Sequence, residues 1–298
     1  MRIGIIGLGR MGSRMAERLL EKGFEVVVYA RKPESMKPLF EKGAATASSY
    51  KEFCEKLAEK KMILLMVPHG KPVDEVIAGV APFLKKGDIV IDGGNSFYQD
   101  SVKRAKALAK KGVHFLDAGT SGGLEGAREG ASIMVGGSEE GFKTAEHVFK
   151  SLATEGGYAH MGPSGAGHFV KMVHNGIEYS LLQSYGEGYA LLAKSKYNID
   201  LRKATQVFRN GSVIRGWLLD LLARSLEADP GLTEVSGRVG GGDTGDWTLK
   251  TAKEHRIAMP MLGEAMKARK RSMKKPDFST KVVAALRYQF GGHEEPEK

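Results

Sequence analysis

Cysteine occurs once in 298 residues, as Cys54. A single thiol excludes an internal disulfide and suits a reducing, cytoplasmic compartment. Cys54 stands in the Lys/Glu-rich stretch YKEFCEKLAEKK, without a second cysteine, and reads as a structural thiol. Tryptophan is also scarce; Trp217 and Trp247 read as packing residues. No run approaches the roughly 18–20 apolar residues that a membrane span requires. The apolar opening MRIGIIG is too short for an export signal and runs straight into glycines. The eight histidines form no HxxxH or Cys/His group, so no metal site is expected. His160, His168 and His255 read as ordinary polar residues. The net charge is +10, yet Lys and Arg are scattered, with no basic tail and no interleaved aromatics. Neither nucleic acid nor a membrane surface is therefore expected as a partner. Most of these cations read as solvated surface, and a few would suit a small phosphorylated ligand.

The chain is long enough for two domains, and its 42% hydrophobic content is that of a globular protein. The first half alternates strand-like segments, at 2–6, 25–29, 61–67, 89–92 and 114–117, with helical ones such as 11–22 and 101–111. Uninterrupted apolar strands such as MILLMV indicate a parallel sheet covered on both faces. Near residues 133–136 the alternation ends. Beyond Gly162 the pattern turns helical: Pro163-Ser164-Gly165 reads as a helix start with Ser164 as N-cap. A long helix to about residue 193 is followed by helices at 201–210, 217–228 and 260–274, separated by glycine-rich breaks such as GRVGGGDTGDW. The expected fold is a doubly wound α/β Rossmann-type N-terminal domain (1–163), an all-α domain (164–284) and a C-terminal tail (285–298).

Gly7-Leu8-Gly9-Arg10-Met11-Gly12 follows an apolar strand and precedes a helix-forming run. In that setting GxGxxG points to a dinucleotide: glycines allow a tight turn and close approach to pyrophosphate, and the helix N-terminus supplies N–H groups and positive dipole. The second strand ends in Ala30-Arg31-Lys32, where NAD binders usually carry an acidic residue for the ribose 2′-hydroxyl. Two cations there favour the 2′-phosphate of NADP, with NAD as the other possibility.

The segment 165–180, GAGHFVKMVHNGIEYS, sets Lys171, His174, Asn175 and Glu178 at i, i+3, i+4 and i+7, on one helix face. A narrow polar stripe on a mostly apolar rod suits a buried helix whose single wet side lines a cleft. Spacing alone is met at least as well by solvated or paired side chains. Joined to the glycine loop and the SGG segment at 121–123, it points to catalysis.

In LLMV (64–67), KGDIVIDGGNSFYQD (86–100), SGGLEGAREGASIM (121–134), GAGHFVKMVHNGIEYS (165–180), GEAMKAR (263–269) and RYQFGGH (287–293) the chain resembles 6-phosphogluconate dehydrogenase in its short form, within the β-hydroxyacid dehydrogenases. The resemblance implies that Lys171 is the general base and Glu178 the general acid, with His174 and Asn175 contacting substrate. It places Asn95 near nicotinamide and substrate, and Ser121, Gly122 and Gly123 at the substrate carboxylate. Met66, Val67 and Pro68 are expected to line the cofactor. Tyr179, Thr248 and Arg269 match the phosphate-binding set, and Arg287 and His293 match a phosphate-binding tail that a partner subunit donates. Two positions depart from the family pattern: Asp246 stands where Lys is usual, and Ala30 where Asn precedes the Arg.

The chemistry implied is oxidation and decarboxylation of 6-phosphogluconate in the pentose phosphate pathway. A base takes the proton of a hydroxyl β to a carboxylate, and the resulting β-keto acid loses CO2 once its carbonyl is protonated. Lys171 must enter this sequence as a neutral amine, which desolvation favours. Glu178, two turns on at about 10 Å, would then protonate the enediol. A homodimer or higher assembly is expected. The alternatives are another β-hydroxyacid dehydrogenase or imine reductase on the same scaffold, and a non-catalytic dinucleotide sensor or nucleic-acid binder.

Overall fold

The computed structural model describes residues 1–57 and 59–296. Its contacts cluster into two units, one from Met1 to Met172 and one from Val173 onward. The first unit contains β1 (Arg2–Ile6), α1 (Arg10–Glu21), β2 (Glu25–Tyr29), α2 (Lys37–Glu41), β3 (Ala45–Thr46), α3 (Tyr50–Glu55), β4 (Met62–Leu65), α4 (Lys71–Val80), β5 (Ile89–Asp92), α5 (Tyr98–Ala109), β6 (His114–Ser121), α6 (Gly123–Glu129), β7 (Ala131–Gly137), α7 (Glu139–Leu152) and β8 (Ala153–Gly162). The helix α8 (Ala166–Lys194) belongs to both units, and the second continues with α9 (Leu201–Arg209), α10 (Trp217–Ala228), α11 (Asp243–Glu254), α12 (Pro260–Ser272) and α13 (Phe278–Gly291).

The eight strands form one sheet in the order β3-β2-β1-β4-β5-β6-β7-β8. The order reverses between β1 and β4, the switch point at which doubly wound sheets bind their ligands. Every residue of β4 (MILL) and β5 (IVID) is buried, as a parallel strand covered on both faces must be. One core collects Ile3, Ile5, Val28, Leu64, Ile91, Leu116 and Val135 under α1 and α7; the other collects Val27, Phe53, Ile63, Val73, Val90 and Phe115. Cys54 lies in the second core, and burial pushes its thiol up to about 11, which makes it inert packing.

The sheet runs further than the sequence pattern predicts. β6 continues to Ser121, β7 pairs with it antiparallel, and β8 adds in parallel to β7. The alternation therefore persists past residue 136: Ser138 caps α7 by accepting from the Gly141 N–H at 3.2 Å, with Glu139 and Glu140 in the first turn.

The helical unit has its own core of Leu182, Tyr189, Leu219, Leu222, Leu226, Leu232 and Val282–Leu286. Two of its helices escape the sequence reading. The glycine-rich break contains α11, whose buried side is Thr244, Gly245, Thr248, Thr251 and Ala252. The helix α13 begins in a capping box made by Asp277 and Thr280 and continues to Gly291, so Arg287 is a helical residue.

Candidate functional site

In the first unit the glycines divide their work by position. Gly7 holds φ +97°, and a Cβ there would strike the Met66 carbonyl; a Cβ at Gly12 would strike the Gly7 carbonyl. These two let α1 close on the β1–β4 switch point. Gly9 faces open space, and no side chain caps the α1 N-terminus. An uncovered helix start beside a missing Cβ fits a pyrophosphate. Leu8, Met11, Ala30 and Met66 pack against one core and Val67 against the other, while Arg10 and Pro68 are exposed at the same edge. Arg31 and Lys32 are exposed at the end of β2.

Asn95 is exposed on the loop after β5, while its neighbours are tied down. Asp92, fully buried, accepts from the Gly94 N–H at 3.1 Å and from the Ser96 hydroxyl at 2.7 Å. Arg104 braces that carboxylate at 3.3 Å and also reaches Asp74 at 2.7 Å and the Gly70 carbonyl at 3.1 Å. Ser121 ends β6, and Gly122 (φ +115°) and Gly123 (φ +60°) turn the chain into α6 with a backbone that glycine favours.

The start of α8 is capped from the sheet. Asp117 on β6 accepts from the N–H of Gly165 at 2.7 Å and of His168 at 2.8 Å, the role the sequence reading gives to Ser164. Three glycines bring helix and sheet together. A Cβ at Gly119 would overlap the Lys171 side chain, and one at Gly167 would overlap the Asp117 carbonyl; one at Gly136 would press on the Gly167 N–H. Lys171 is consequently 7% exposed.

Because α8 is one continuous helix, Lys171, His174, Asn175 and Glu178 do lie along one face. Burial along it departs from the expectation in part: Met172, Leu182 and Tyr189 are buried and His174 and Glu178 partly open. Lys171 and Asn175 are buried, whereas the apolar Ile177, Leu181 and Leu191 are exposed, Leu191 by 74%.

In the second unit Thr244, which the sequence reading does not single out, is a junction. Its hydroxyl meets the Tyr179 hydroxyl at 3.0 Å and the Asn175 amide at 3.4 Å, and its carbonyl accepts from Thr248 at 2.6 Å. Gly245 lies against the Tyr179 ring and Gly176 against Thr248. His174 Nδ1 lies 3.1 Å from Asn175 Oδ1 and 3.8 Å from a Glu178 oxygen.

Arg269 is 6% exposed, stacks its guanidinium 3.9 Å over the Tyr179 ring, and leaves Nη1 without a hydrogen-bond partner. Gly242 faces it, and neighbouring Gly241 faces the Arg287 Nη2. Burial and the Arg269 charge push the Arg287 guanidinium down to about 10, against a smaller opposing pull from Tyr179 and Glu178. His293, just beyond α13, donates its N–H to the Arg287 carbonyl at 3.4 Å and sets its ring edge-on to Phe290. Asp246 is exposed and pairs with Lys270 at 3.4 Å. Among the described residues no group of three or more His, Cys, Asp or Glu is placed to hold a metal ion.

The switch-point glycine cradle defines a Rossmann-type dinucleotide-binding protein with a helical second unit. The sequence profile of the NAD-binding domain of 6-phosphogluconate dehydrogenase matches residues 2–170, and that of the enzyme's C-terminal domain matches 167–294. The chain belongs to the 6-phosphogluconate dehydrogenase family. It is 42% identical to the NAD(+)-dependent, decarboxylating 6-phosphogluconate dehydrogenase of Haloferax volcanii, over 99% of this chain and 98% of that one. A Bacillus subtilis protein bearing the 6-phosphogluconate dehydrogenase name provisionally is 42% identical over 98% of both chains. The structure of Plasmodium falciparum 6-phosphogluconate dehydrogenase, studied with NADP+ and with 6-phosphogluconate, superposes with a TM-score of 0.83 at 33% identity. That match covers 92% of this chain and 62% of the Plasmodium chain, as expected of a short form.

Proposed function

We propose that this chain oxidises and decarboxylates 6-phospho-D-gluconate to D-ribulose 5-phosphate and CO2, with NADP as the preferred oxidant. The observation that carries the substrate is the Arg269–Arg287 pair. Two partly desolvated like charges, one with a buried unpaired N–H, are favoured together only when an anion joins them. A phosphate offers the acceptor geometry that guanidinium groups match. Tyr179, Thr248 and His293 complete this site, and Asp246 is neutralised by Lys270 outside it.

The glycine-loop edge would hold a nicotinamide dinucleotide, which when bound would supply the hydride acceptor for oxidation of the carbon that bears the hydroxyl β to the carboxylate. Lys171, desolvated against Gly119, takes the hydroxyl proton as the neutral amine, the form that burial favours. It returns that proton to the carbonyl oxygen as the C–C bond to the carboxylate breaks and CO2 departs. Glu178 protonates the terminal carbon of the resulting enediol while Lys171, neutral again, takes back the enol proton, which leaves the ketone product. Asn175 and His174 hold hydroxyls, Asn95 contacts substrate and nicotinamide, and Ser121, Gly122 and Gly123 receive the carboxylate.

Gly7, Leu8, Gly9, Arg10, Met11 and Gly12 would hold the pyrophosphate, and Met66, Val67, Pro68 and Ala30 would line the rest of the dinucleotide. Arg31 and Lys32 support the NADP preference, having no carboxylate to hold a bare ribose. The Haloferax relative's NAD(+) dependence supports NAD as the second reading. A homodimer would cover the exposed Ile177, Leu181 and Leu191 of α8, which recur at helical spacing. Arg287 already stands with Arg269 of its own chain, so an exchange of tails between copies would carry the same cluster across the interface.

Reduction of NADP and NAD should be followed in parallel with 6-phosphogluconate and with gluconate. Turnover that requires the phosphate and releases CO2 supports the reading; equal rates on gluconate would remove it.

A further inference from the structure

We infer that His168 is a positioning residue for this reaction, and that it fixes Asn95 relative to Lys171 through the Gly94 carbonyl. The inference rests on the roles proposed above for Asn95 and Lys171. His168 is one turn before Lys171 on α8 and 1% exposed. Its Nε2 lies 3.1 Å from the Gly94 carbonyl, and its Nδ1 lies 2.7 Å from the Ser101 hydroxyl. A carbonyl only accepts, so Nε2 carries the hydrogen and Nδ1 can accept from Ser101. The ring's orientation and tautomer are thus both set, and its backbone N–H is held by Asp117.

The Gly94 carbonyl belongs to the peptide plane that leads into Asn95. Asp92 holds the other side of that residue through the Gly94 N–H and the Ser96 side chain. Asn95 itself is exposed. A loop whose tip is open and whose flanks are gripped presents its side chain in one place, and the His168 grip comes from the helix that carries the base. Groups that orient a reacting residue in this way affect rate out of proportion to their contact, because small displacements of reacting groups cost orders of magnitude.

Three variants separate this role from simple packing. Gln can bring its amide N–H to the place of Nε2, Asn reproduces Nδ1 instead, and Phe keeps only the ring. His168→Gln should retain kcat within about fivefold, whereas His168→Asn and His168→Phe should lose roughly 30–100-fold in kcat with KM changed by less than about threefold. Hydrogen exchange of the peptide covering 92–97 should quicken in the Asn and Phe variants and not in Gln. Activity that follows melting temperature across the three, or an Asn variant as active as Gln, would overturn the inference. If these variants fail to fold, Ser101→Ala decides. Freed of its orienting hydroxyl, the ring should release the 92–97 segment to faster exchange, and unchanged exchange would overturn the inference. Absence of wild-type turnover with 6-phosphogluconate would instead remove the functional reading, and the exchange measurement would still judge the grip on the loop.

Discussion

Arg104, in the sheet-based unit, sets its nitrogens against Asp74, Asp92 and the Gly70 carbonyl, whereas Arg269, in the helical unit, lies on the Tyr179 ring with Nη1 unpaired. Both are about equally buried. A buried cation with a full set of acceptors holds the fold together. One with an unmet donor and a second guanidinium nearby carries an electrostatic penalty that a ligand can relieve. Burial alone does not separate structure from function; the state of the partners does.

The largest effect is expected where a buried amine is the proposed proton carrier. Lys171→Met should lower kcat on the order of 10³–10⁴-fold while dinucleotide binding, measured by fluorescence titration, survives. Near-normal turnover would remove the base assignment. Next, Arg104→Leu should cost roughly 3–5 kcal/mol in urea unfolding, because Asp92 would lose its buried cation. Arg269→Met should leave stability unchanged or improved, yet raise KM for the phosphorylated substrate roughly 10–150-fold, the range of a charge-assisted hydrogen bond. A stability loss matching that of Arg104→Leu would break the comparison.

A gentler version uses inorganic phosphate. It should raise the melting temperature of the unmodified protein, and Arg287→Met should abolish most of that rise. Because burial and Arg269 lower the Arg287 pKa, folding disfavours its cation, so the same variant should melt no lower than the parent without phosphate. The smallest effect is expected at the exposed Arg31. Arg31→Ala should raise KM for NADP about tenfold more than KM for NAD, through loss of one charged contact. Equal changes would remove the ground for favouring NADP.

Much of this is legible in the sequence alone. The glycine loop and strands β1, β2 and β5 follow from apolar runs and turn residues, which are local signals. The start of α8 is legible at Pro163-Ser164-Gly165, but its cap is not, because that cap is Asp117, about fifty residues away in the chain. α11 was hidden because its buried face is threonine and glycine, which give no hydrophobic period. In α13 the unbroken run Val282–Leu286 is buried throughout and shows no alternation either. Within the site, the lysine stripe could be read from spacing, but not which of its members would be covered. Thr244, lodged in a glycine-rich stretch, and His168, set aside as an ordinary polar residue, declare themselves only through what they touch.

The glycines at 119, 136 and 167 weld the first turns of α8 to the sheet. The stem of Lys171 is therefore a fixture of the chassis, inherited with the strands. On the proposed reading, a lineage could retune which hydroxy acid it accepts by changing residues such as Arg269 or Arg287 and leave the lysine proposed as its proton acceptor where it was. Mutating Gly119, by contrast, would move the acceptor itself, so that position should tolerate no drift in any descendant that still does this chemistry.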